Sequence, residues 1–441
     1  MTTALGPAPS GATTDLHDLA ERFGTPLYVY DLDVIDRQVA ALRSILPNRF
    51  ELAYAVKANP SLGIVGHLGR LGLGADVASG GELATAIRAG TPPDRIVFTG
   101  PGKRDDELEA AVIAGIRAIT VESAGELARV EALSRGFRVR TPILLRVATG
   151  GRRGRSAVPI ADSDGGKFGI DPAELPQVAD QAVGSRHLRL LGLHAFGASN
   201  VLDASELADH AASTMALARE LTARLQAGRA PDFTLELVDV GGGLGLPYST
   251  AAAELDLREL GLRLGEYERE WGQDPVTRHT RVLVEPGRFL VGQAGTYFTR
   301  ILDRKVVAGR QVAIVDGGIH HLVRPALVGA QHRIVRLGNE TRGALGPPAT
   351  GGSAGASGIT VAGPLCSGLD VLATDALLDR AERGDLLAVL DTGAYGYTES
   401  MPMFLSHATP AEVAISGGRS TLLRPRIEPE AWLAQQLDPG W

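Results

Sequence analysis

The sequence predicts an α/β chain built as a (β/α)8 TIM barrel followed by a separate antiparallel β domain, and three observations carry that prediction. Between residues 50 and 289, short apolar runs alternate with amphipathic segments of helical length. Parallel strands covered on both faces read as such near-continuous apolar runs. After Gly292 the helical segments give way to short β-rich runs separated by turns, the order of an independent sheet. The unusual polar and glycine residues of the first region fall at the C-terminal ends of its apolar runs, where barrels place their chemistry.

Taken in order, the strand candidates are "FELAYAV", "GADVAS", "RIVFTG", "AITVES", "PILLRVA", "LLGLHAF", "LELVDVGGG" and "RVLVEPGRF". Each except the last is followed by a helical segment, among them "GELATAIRAG", "GELARVEALSRG", a stretch from 204 to 227 and "LRELGLRLGEYEREW". Eight such units in this length suit a closed barrel. The β domain is read from "TYFTRILDRKVV", "QVAIVDGG", "HRIVRLG", "GITVAGP", "DLLAVLDTG" and "AEVAISG". The expected boundaries are 31–291 for the barrel and 292–441 for the β domain, joined by an early strand within 24–30, in "TPLYVYD". Residues 1–14 and "GPPATGGSAGASG" at 346–358 are small, Gly/Pro/Ser-rich and aperiodic. The first reads as a disordered tail and the second as a long loop within the sheet.

At 441 residues, 44% hydrophobic and 22% charged, the chain can bury a large core. A net charge of -7 gives no general attraction to nucleic acid or anionic membrane. The only basic run is "GRRGR". One cysteine, Cys366, excludes an intrachain disulfide framework. No segment has the apolar length of a membrane span or the build of a signal peptide. The expectation is a cytoplasmic protein without nucleic-acid or membrane partners and without a bound metal.

Lys57 interrupts the small apolar stretch "ELAYAVKANP". It is either a surface lysine just past a strand end or a desolvated amine able to hold an aldehyde covalently. The residues at the other strand ends bear on that choice. They are Asp76 and Ser79 in "DVASGGEL", His194 and Ser199 in "GLHAFGASN", Gly241, Gly242 and Gly243 in "DVGGGLG", and Glu285, Gly287 and Arg288 in "EPGR". Three glycines ahead of a helix leave backbone amides open to a phosphate, although a glycine triplet also serves as a plain turn. Arg288 offers a planar donor fork that suits phosphate or an ion pair. A carboxylate at Glu285 would keep a pyridine nitrogen protonated and make the ring an electron sink, or would simply pair with Arg288. Glu82 fits either the site or a capping box with Ser79, a pattern that "SAGE" repeats at 123–126. With Lys57, these residues describe a site for a phosphorylated aldehyde.

The motifs "YAVKANP", "DVASGGEL", "KFGI", "GLHAFGASN", "DVGGGLG", "EPGRFLV", "RPAL", "GPLCSGLDVL" and "DTGAYGY" occur in the order found in fold-type III pyridoxal-phosphate decarboxylases. The chain resembles the diaminopimelate and ornithine decarboxylases, most of all the former, over residues 25–408. The resemblance implies pyridoxal 5'-phosphate as cofactor and a homodimer with shared active sites. Lys57 would carry the cofactor, Glu285 would meet its pyridine nitrogen, and Gly241, Gly242, Gly243, Ser199, Arg288 and Tyr395 would hold its phosphate. Asp76 and Glu82 would support Lys57 and the ring. Cys366 would reach the partner's site, the alternative being a small buried hydrophobe. Arg324 in "RPAL" would face the substrate or lie at the surface.

The departures from the family pattern cluster on the substrate's side. The residue after the family's cysteine is usually an acid that engages a distal amine, and here it is Ser367. Phe196 stands where a histidine usually stacks on the cofactor ring. Val328 replaces the tyrosine that commonly follows "RPAL", and "IHH" at 319–321 replaces "MND". His320 is thereby a candidate substrate contact, the alternative being a solvated turn. A neutral hydroxyl cannot pair with an ammonium as a carboxylate does. The expected function is an amino-acid decarboxylase whose substrate, small or linked to a carrier protein, lacks a free distal ammonium, as in a siderophore or antibiotic route. The alternatives are authentic diaminopimelate decarboxylation, a racemase, or a non-catalytic cofactor carrier.

Overall fold

The structure, a computed structural model, describes residues 15–149, 166–248, 253–337, 358–378 and 381–438. The tail at 1–14, "GRRGR", and the 346–358 loop except Gly358 lie outside the described residues. By their packing the described residues form two compact units. One holds the chain up to Asp36, Tyr248, and the chain from Val291 on; the other holds most of Arg37 to Leu290.

Helix α1 (Leu16–Phe23) begins where the Asp15 carboxylate accepts from the His17 N–H at 2.8 Å. It is followed by β1 (Leu27–Asp31) and α2 (Leu32–Ile45). The barrel strands are β2 (Phe50–Ala55), β3 (Gly74–Val77), β4 (Ile96–Phe98), β5 (Ala118–Val121), β6 (Thr141–Arg146), β7 (Leu188–His194), β8 (Leu237–Asp239) and β9 (Arg281–Val284). They are parallel throughout and close where Phe50 pairs with Val282 and Leu52 with Val284. The eight sequence-predicted strands are these eight. Ala53, Val97, Ala118, Leu144, Leu191, Leu237 and Leu283, from seven of the strands, form one buried cluster. Truncating one of its leucines to alanine would cost about 2–5 kcal/mol.

Between the strands run α3 (Leu62–Arg70), α4 (Gly80–Arg88), α5 (Asp105–Ala114), α6 (Ala124–Phe137), α7 (Leu175–Gly184), α8 (Ala204–Ala227) and α9 (Leu257–Gln273). Four of them start on a side-chain oxygen that accepts from the first turn: Ser79, Ser123, Asp203 and Asp256. These caps satisfy amides that a helix otherwise leaves unpaired, and so fix where each strand-to-helix loop ends. After β9 there is only α10 (Arg288–Val291).

The second unit is a nine-stranded sheet. It joins β1 to β10 (Gly295–Val307), β11 (Arg310–Val315), β12 (Ile334–Leu337), β13 (Ile359–Ala362), β14 (Val371–Ala376), β15 (Leu386–Val389), β16 (Ala411–Ser416) and β17 (Arg419–Arg424). Short helices α11 (Arg324–Val328) and α12 (Pro429–Leu433) complete the chain. Strand β1 lies antiparallel to β10 and parallel to β16, and β11 lies parallel to β13. The sheet is otherwise antiparallel, as the sequence predicts for this domain. Strands β14 and β17 escape a sequence reading because both are edges, with a single fully buried residue, Leu372, between them. Edge strands carry polar residues that blunt the alternation signal. Leu27, Val29, Phe298, Leu386, Ala388, Leu390, Ala411 and Val413 belong to the core of this sheet.

Candidate active site

The glycine triplet follows β8 directly, and its conformation explains its composition. Gly241 and Gly243 have φ of +65° and +96°, a region that side chains disfavour. A Cβ on Gly242 would lie 2.2 Å from the Glu285 carbonyl oxygen, and one on Gly243 2.5 Å from that of Ala198. The turn is held from three sides. Asp239 Oδ1 accepts from the Gly241 N–H at 2.9 Å, the Glu285 N–H donates to the Gly241 carbonyl at 2.8 Å, and the Val201 N–H donates to that of Gly243 at 2.8 Å. Ser199 lies in the loop packed against this turn, and Arg288 opens α10 one strand later, nearly buried. Gly287 lies against Ala55 and Ala58, which a Cβ would approach to 3.1 and 2.9 Å.

Buried acids gather at the strand ends beside this turn. Asp76, the third residue of β3, accepts from the Thr99 hydroxyl at 2.6 Å through Oδ1. Its Oδ2 lies 3.8 Å from Lys57 Nζ. Burial, and then the charge of Glu285, push the Asp76 carboxyl up to about 8. Asp239 is wholly buried and is raised well above the usual carboxylate range by the same two causes. Glu285 goes the other way. Burial alone would raise it, but His194, Lys57 and Asp239 together hold it at about 2. His194 Nε2 lies 3.7 Å from Glu285 Oε2. Burial lowers the His194 imidazole below 6.5 despite Glu285, so at neutral pH the cation opposing Glu285 is Lys57. Among the described residues, Asp76 Oδ2, Asp239 Oδ2, Glu285 Oε1 and both ring nitrogens of His194 lack a hydrogen-bond partner. Buried polar atoms without partners mark a place where a polar ligand is expected.

Lys57 sits in a 3-10 turn just past β2, with Val56 and Ala58 buried on either side and its own side chain 45% exposed. Of the two readings the sequence left open for Lys57, its place just past the strand end matches the first, and its half-exposed side chain still lies beside the buried Asp76. Its ammonium lies 5.9 Å from the centroid of the Phe196 ring. Gly241 is glycine partly for that ring, since a Cβ would come within 2.9 Å of Phe196 Cδ2. Glu82 serves the capping box: its Oε2 accepts from the Ala78 N–H at 2.7 Å, while its own N–H donates to Ser79 Oγ at 3.2 Å. Its carboxyl is raised by burial and lowered in part by Lys57.

The remaining candidates lie in the sheet unit. Arg324 opens α11, is 3% exposed, and pairs with Glu399 at 2.9 Å while lying over the Tyr395 ring at 5.3 Å. Tyr395 has a φ of +53°, an unusual conformation for a tyrosine. The Cys366–Ser367 turn is tied to the segment before α11 through Asp370, whose two oxygens accept from Ile319 N–H at 2.8 Å and Leu365 N–H at 2.7 Å. Ser367 Oγ accepts from the Leu369 N–H at 3.2 Å, and Cys366 is exposed. His320 and His321 are buried, not a solvated turn. His321 accepts from Tyr297 at 3.2 Å and donates to the Ala408 carbonyl at 3.0 Å, while His320 has no ring-nitrogen partner among the described residues.

Asp239 and Glu399 are polar residues of these two clusters that sequence reasoning passed over. The available signal for Asp239 was a lone carboxylate inside "LELVDVGGG"; for Glu399 there was none, since its partner is 75 residues away.

The family model for the pyridoxal binding domain of pyridoxal-dependent decarboxylases matches residues 32–292. The chain is 32% identical to L-glutamyl-[BtrI acyl-carrier protein] decarboxylase of Niallia circulans, over 95% of this chain and 95% of that protein. It is also 32% identical to diaminopimelate decarboxylase of Aquifex aeolicus strain VF5, over 96% of this chain and 94% of that protein. The diaminopimelate decarboxylase of Helicobacter pylori, solved with L-lysine, superposes with a TM-score of 0.82 at 27% identity, covering 95% of this chain and 98% of that one.

Proposed function

The chain belongs to the pyridoxal-dependent decarboxylases, with pyridoxal phosphate as cofactor, and from that premise we propose that it removes the α-carboxylate of an amino acid whose distal end carries no free ammonium, small or linked to a carrier protein. The barrel residues fit the cofactor: a glycine turn that admits no side chain, a buried carboxylate oxygen at Glu285 without a partner, and the Lys57 amine beside an aromatic ring. In this reading Lys57 holds the cofactor covalently. Gly241 to Gly243, Ser199, Arg288 and Tyr395 bind its phosphate, and Phe196 stacks where a histidine usually does. Glu285 keeps the pyridine nitrogen protonated, with Asp76, Glu82 and His194 around it. The cofactor supplies a sink for the electrons released as CO₂ departs. Asp76 holds the Lys57 amine in place at 3.8 Å, and the Phe196 ring lies 5.9 Å from that amine.

The observation that carries the substrate reading is Ser367, whose neutral Oγ is already engaged by the Leu369 N–H. Two acids of the same unit are committed as well. Asp370 accepts two backbone amides, and Glu399 pairs with Arg324. Diaminopimelate decarboxylation is the second reading, favoured by relatives of equal identity; it needs an uncommitted acid for the distal ammonium. The similarity to a decarboxylase of a carrier-linked glutamyl group supports the first. Arg324, His320 and Ser367 would then contact the substrate, and Cys366, exposed, would reach the partner's site in a homodimer. No helix among the described residues is long and apolar enough to cross a membrane, and we place the enzyme in the cytoplasm. Ser367→Glu tests specificity: activity on diamino acids should rise about tenfold or more relative to an uncharged analogue, the effect of about 1.4 kcal/mol. No change in that ratio would remove Ser367 as the determinant.

A further inference from the structure

Three carboxyl groups, Asp76, Asp239 and Glu285, are nearly or wholly buried at one end of the barrel. Ionising all of them without matching cations is costly in such surroundings, because each buried charge needs a partner. Lys57 faces Asp76 and acts on Glu285. Arg146 is committed to Glu122 at 2.9 Å. The charges that act most on Asp239 are Glu285 and then Asp76, both acids, and its basic neighbour in the cluster, His194, is held below its ordinary pKa by burial. The other titratable groups of the surroundings are Glu82 on α4, near Asp76, and His210 on α8, which bonds the Ala195 carbonyl at 3.2 Å.

The geometry assigns the proton. Asp239 Oδ1 accepts from the Gly241 N–H at 2.9 Å, so a proton on the carboxyl belongs on Oδ2, which has no acceptor contact among the described residues. One donor or acceptor atom from each of His194, Asp239 and Glu285 lies within 4.8 Å of the others. Glu285 therefore has a potential donor beside it in Asp239 and keeps Oε1 unpartnered. We propose that Asp239 is a positioning residue that carries a proton on Oδ2 and offers it to Glu285, so that Glu285 stays anionic and turns its other oxygen to the cofactor's pyridine nitrogen. A carboxylate that accepts a hydrogen bond is a weaker base, so the proton shared with the ring nitrogen stays on the ring. One side chain thus does two things: it sets the turn that holds the phosphate and tunes the acid that meets the ring.

The inference rests on the reading of Glu285 given above, and the test separates the two. Asparagine reproduces a protonated aspartate, with one acceptor oxygen for Gly241 and one donor for Glu285. In the holoenzyme, Asp239→Asn should keep cofactor affinity within about threefold of the parent, since the hydrogen bonds are conserved, and should leave the pH titration of the cofactor's visible band in place. Asp239→Ala should weaken cofactor binding about tenfold or more and move that titration by about one pH unit. If Asp239→Ala fails to fold, infrared difference spectra of the parent and Asp239→Asn replace it: a protonated-carboxyl band should vanish in the variant. An Asp239→Asn variant as impaired as Asp239→Ala, a silent Asp239→Ala, or no loss of the infrared band would each overturn the proposal. Glu285→Gln serves as the separate control. If it leaves the visible band unchanged, the reading of Glu285 fails; if it abolishes the band while both Asp239 variants are silent, only the role of Asp239 does.

Discussion

The barrel mouth and the turn cluster of the sheet treat their acidic groups in opposite ways, although buried His320 of the sheet unit also keeps both ring nitrogens without a partner among the described residues. In the barrel, Asp76, Asp239, Glu285 and His194 each keep at least one polar atom without a partner among the described residues. In the sheet, Asp370 accepts two amides, Glu399 is paired, Ser367 is bonded within its own turn, and both nitrogens of His321 are engaged. A buried polar atom without a partner costs about 1–3 kcal/mol, so a cluster of them is kept where a ligand completes it. The difference teaches that the barrel is built around a charged ligand, whereas the acids of the sheet are used for structure.

The largest expected effect lies on the barrel side. Lys57→Ala should lower turnover by about 10⁴-fold or more, and borohydride should fix the phosphopyridoxyl group on Lys57 of the parent. Label recovered on another lysine would break the assignment. Mixing Lys57→Ala with Cys366→Ala should restore part of the activity if the sites are shared between two copies, and no recovery after proven exchange would contradict that arrangement.

A smaller effect separates the two regions by their backbones. Gly242→Ala puts a Cβ 2.2 Å from a carbonyl oxygen, while Gly368 in the Cys366 turn has nothing within 4 Å. The first should destabilise by about 1–3 kcal/mol or more and weaken cofactor binding; the second should stay within about 0.5 kcal/mol. Thermal unfolding of both variants measures this, and equal effects would blur the contrast.

The smallest concerns pH. Asp76 is raised from 3.8 to about 8, so between those values the folded protein holds a proton that the unfolded chain has lost. Its contribution to stability is complete below about 3.8 and is lost as pH rises toward 8. In protein stripped of cofactor, the fall in melting temperature from pH 5 to pH 8 should be shallower in Asp76→Asn than in the parent, and a steeper fall would reverse the assignment.

The barrel was legible because apolar runs and strand-end residues are local signals: Lys57, Asp76, His194, the glycine triplet and Glu285 each stand where a strand stops. Asp239 was legible only as one more strand residue, since what distinguishes it is that Glu285 and Asp76, both acids, act on it. Long-range pairing hid the rest. Glu399 meets Arg324 across 75 residues, and the buried His320–His321 pair depends on Tyr297 and Ala408. Parallel pairing of β1 with β16 joins the two ends of the chain, which no window of sequence contains.

The central claim is that the cofactor chemistry is kept while the distal subsite has no acid left for an ammonium. The most direct measurement is CO₂ release from the holoenzyme against a panel of free diaminopimelate, lysine and ornithine beside amino acids acylated or carrier-linked at the distal end. The account predicts that a member of the uncharged group is turned over at least about tenfold more efficiently than any diamino acid. Free diaminopimelate turned over with a kcat/KM of about 10⁴ M⁻¹s⁻¹ or more, and better than every uncharged analogue, would contradict it.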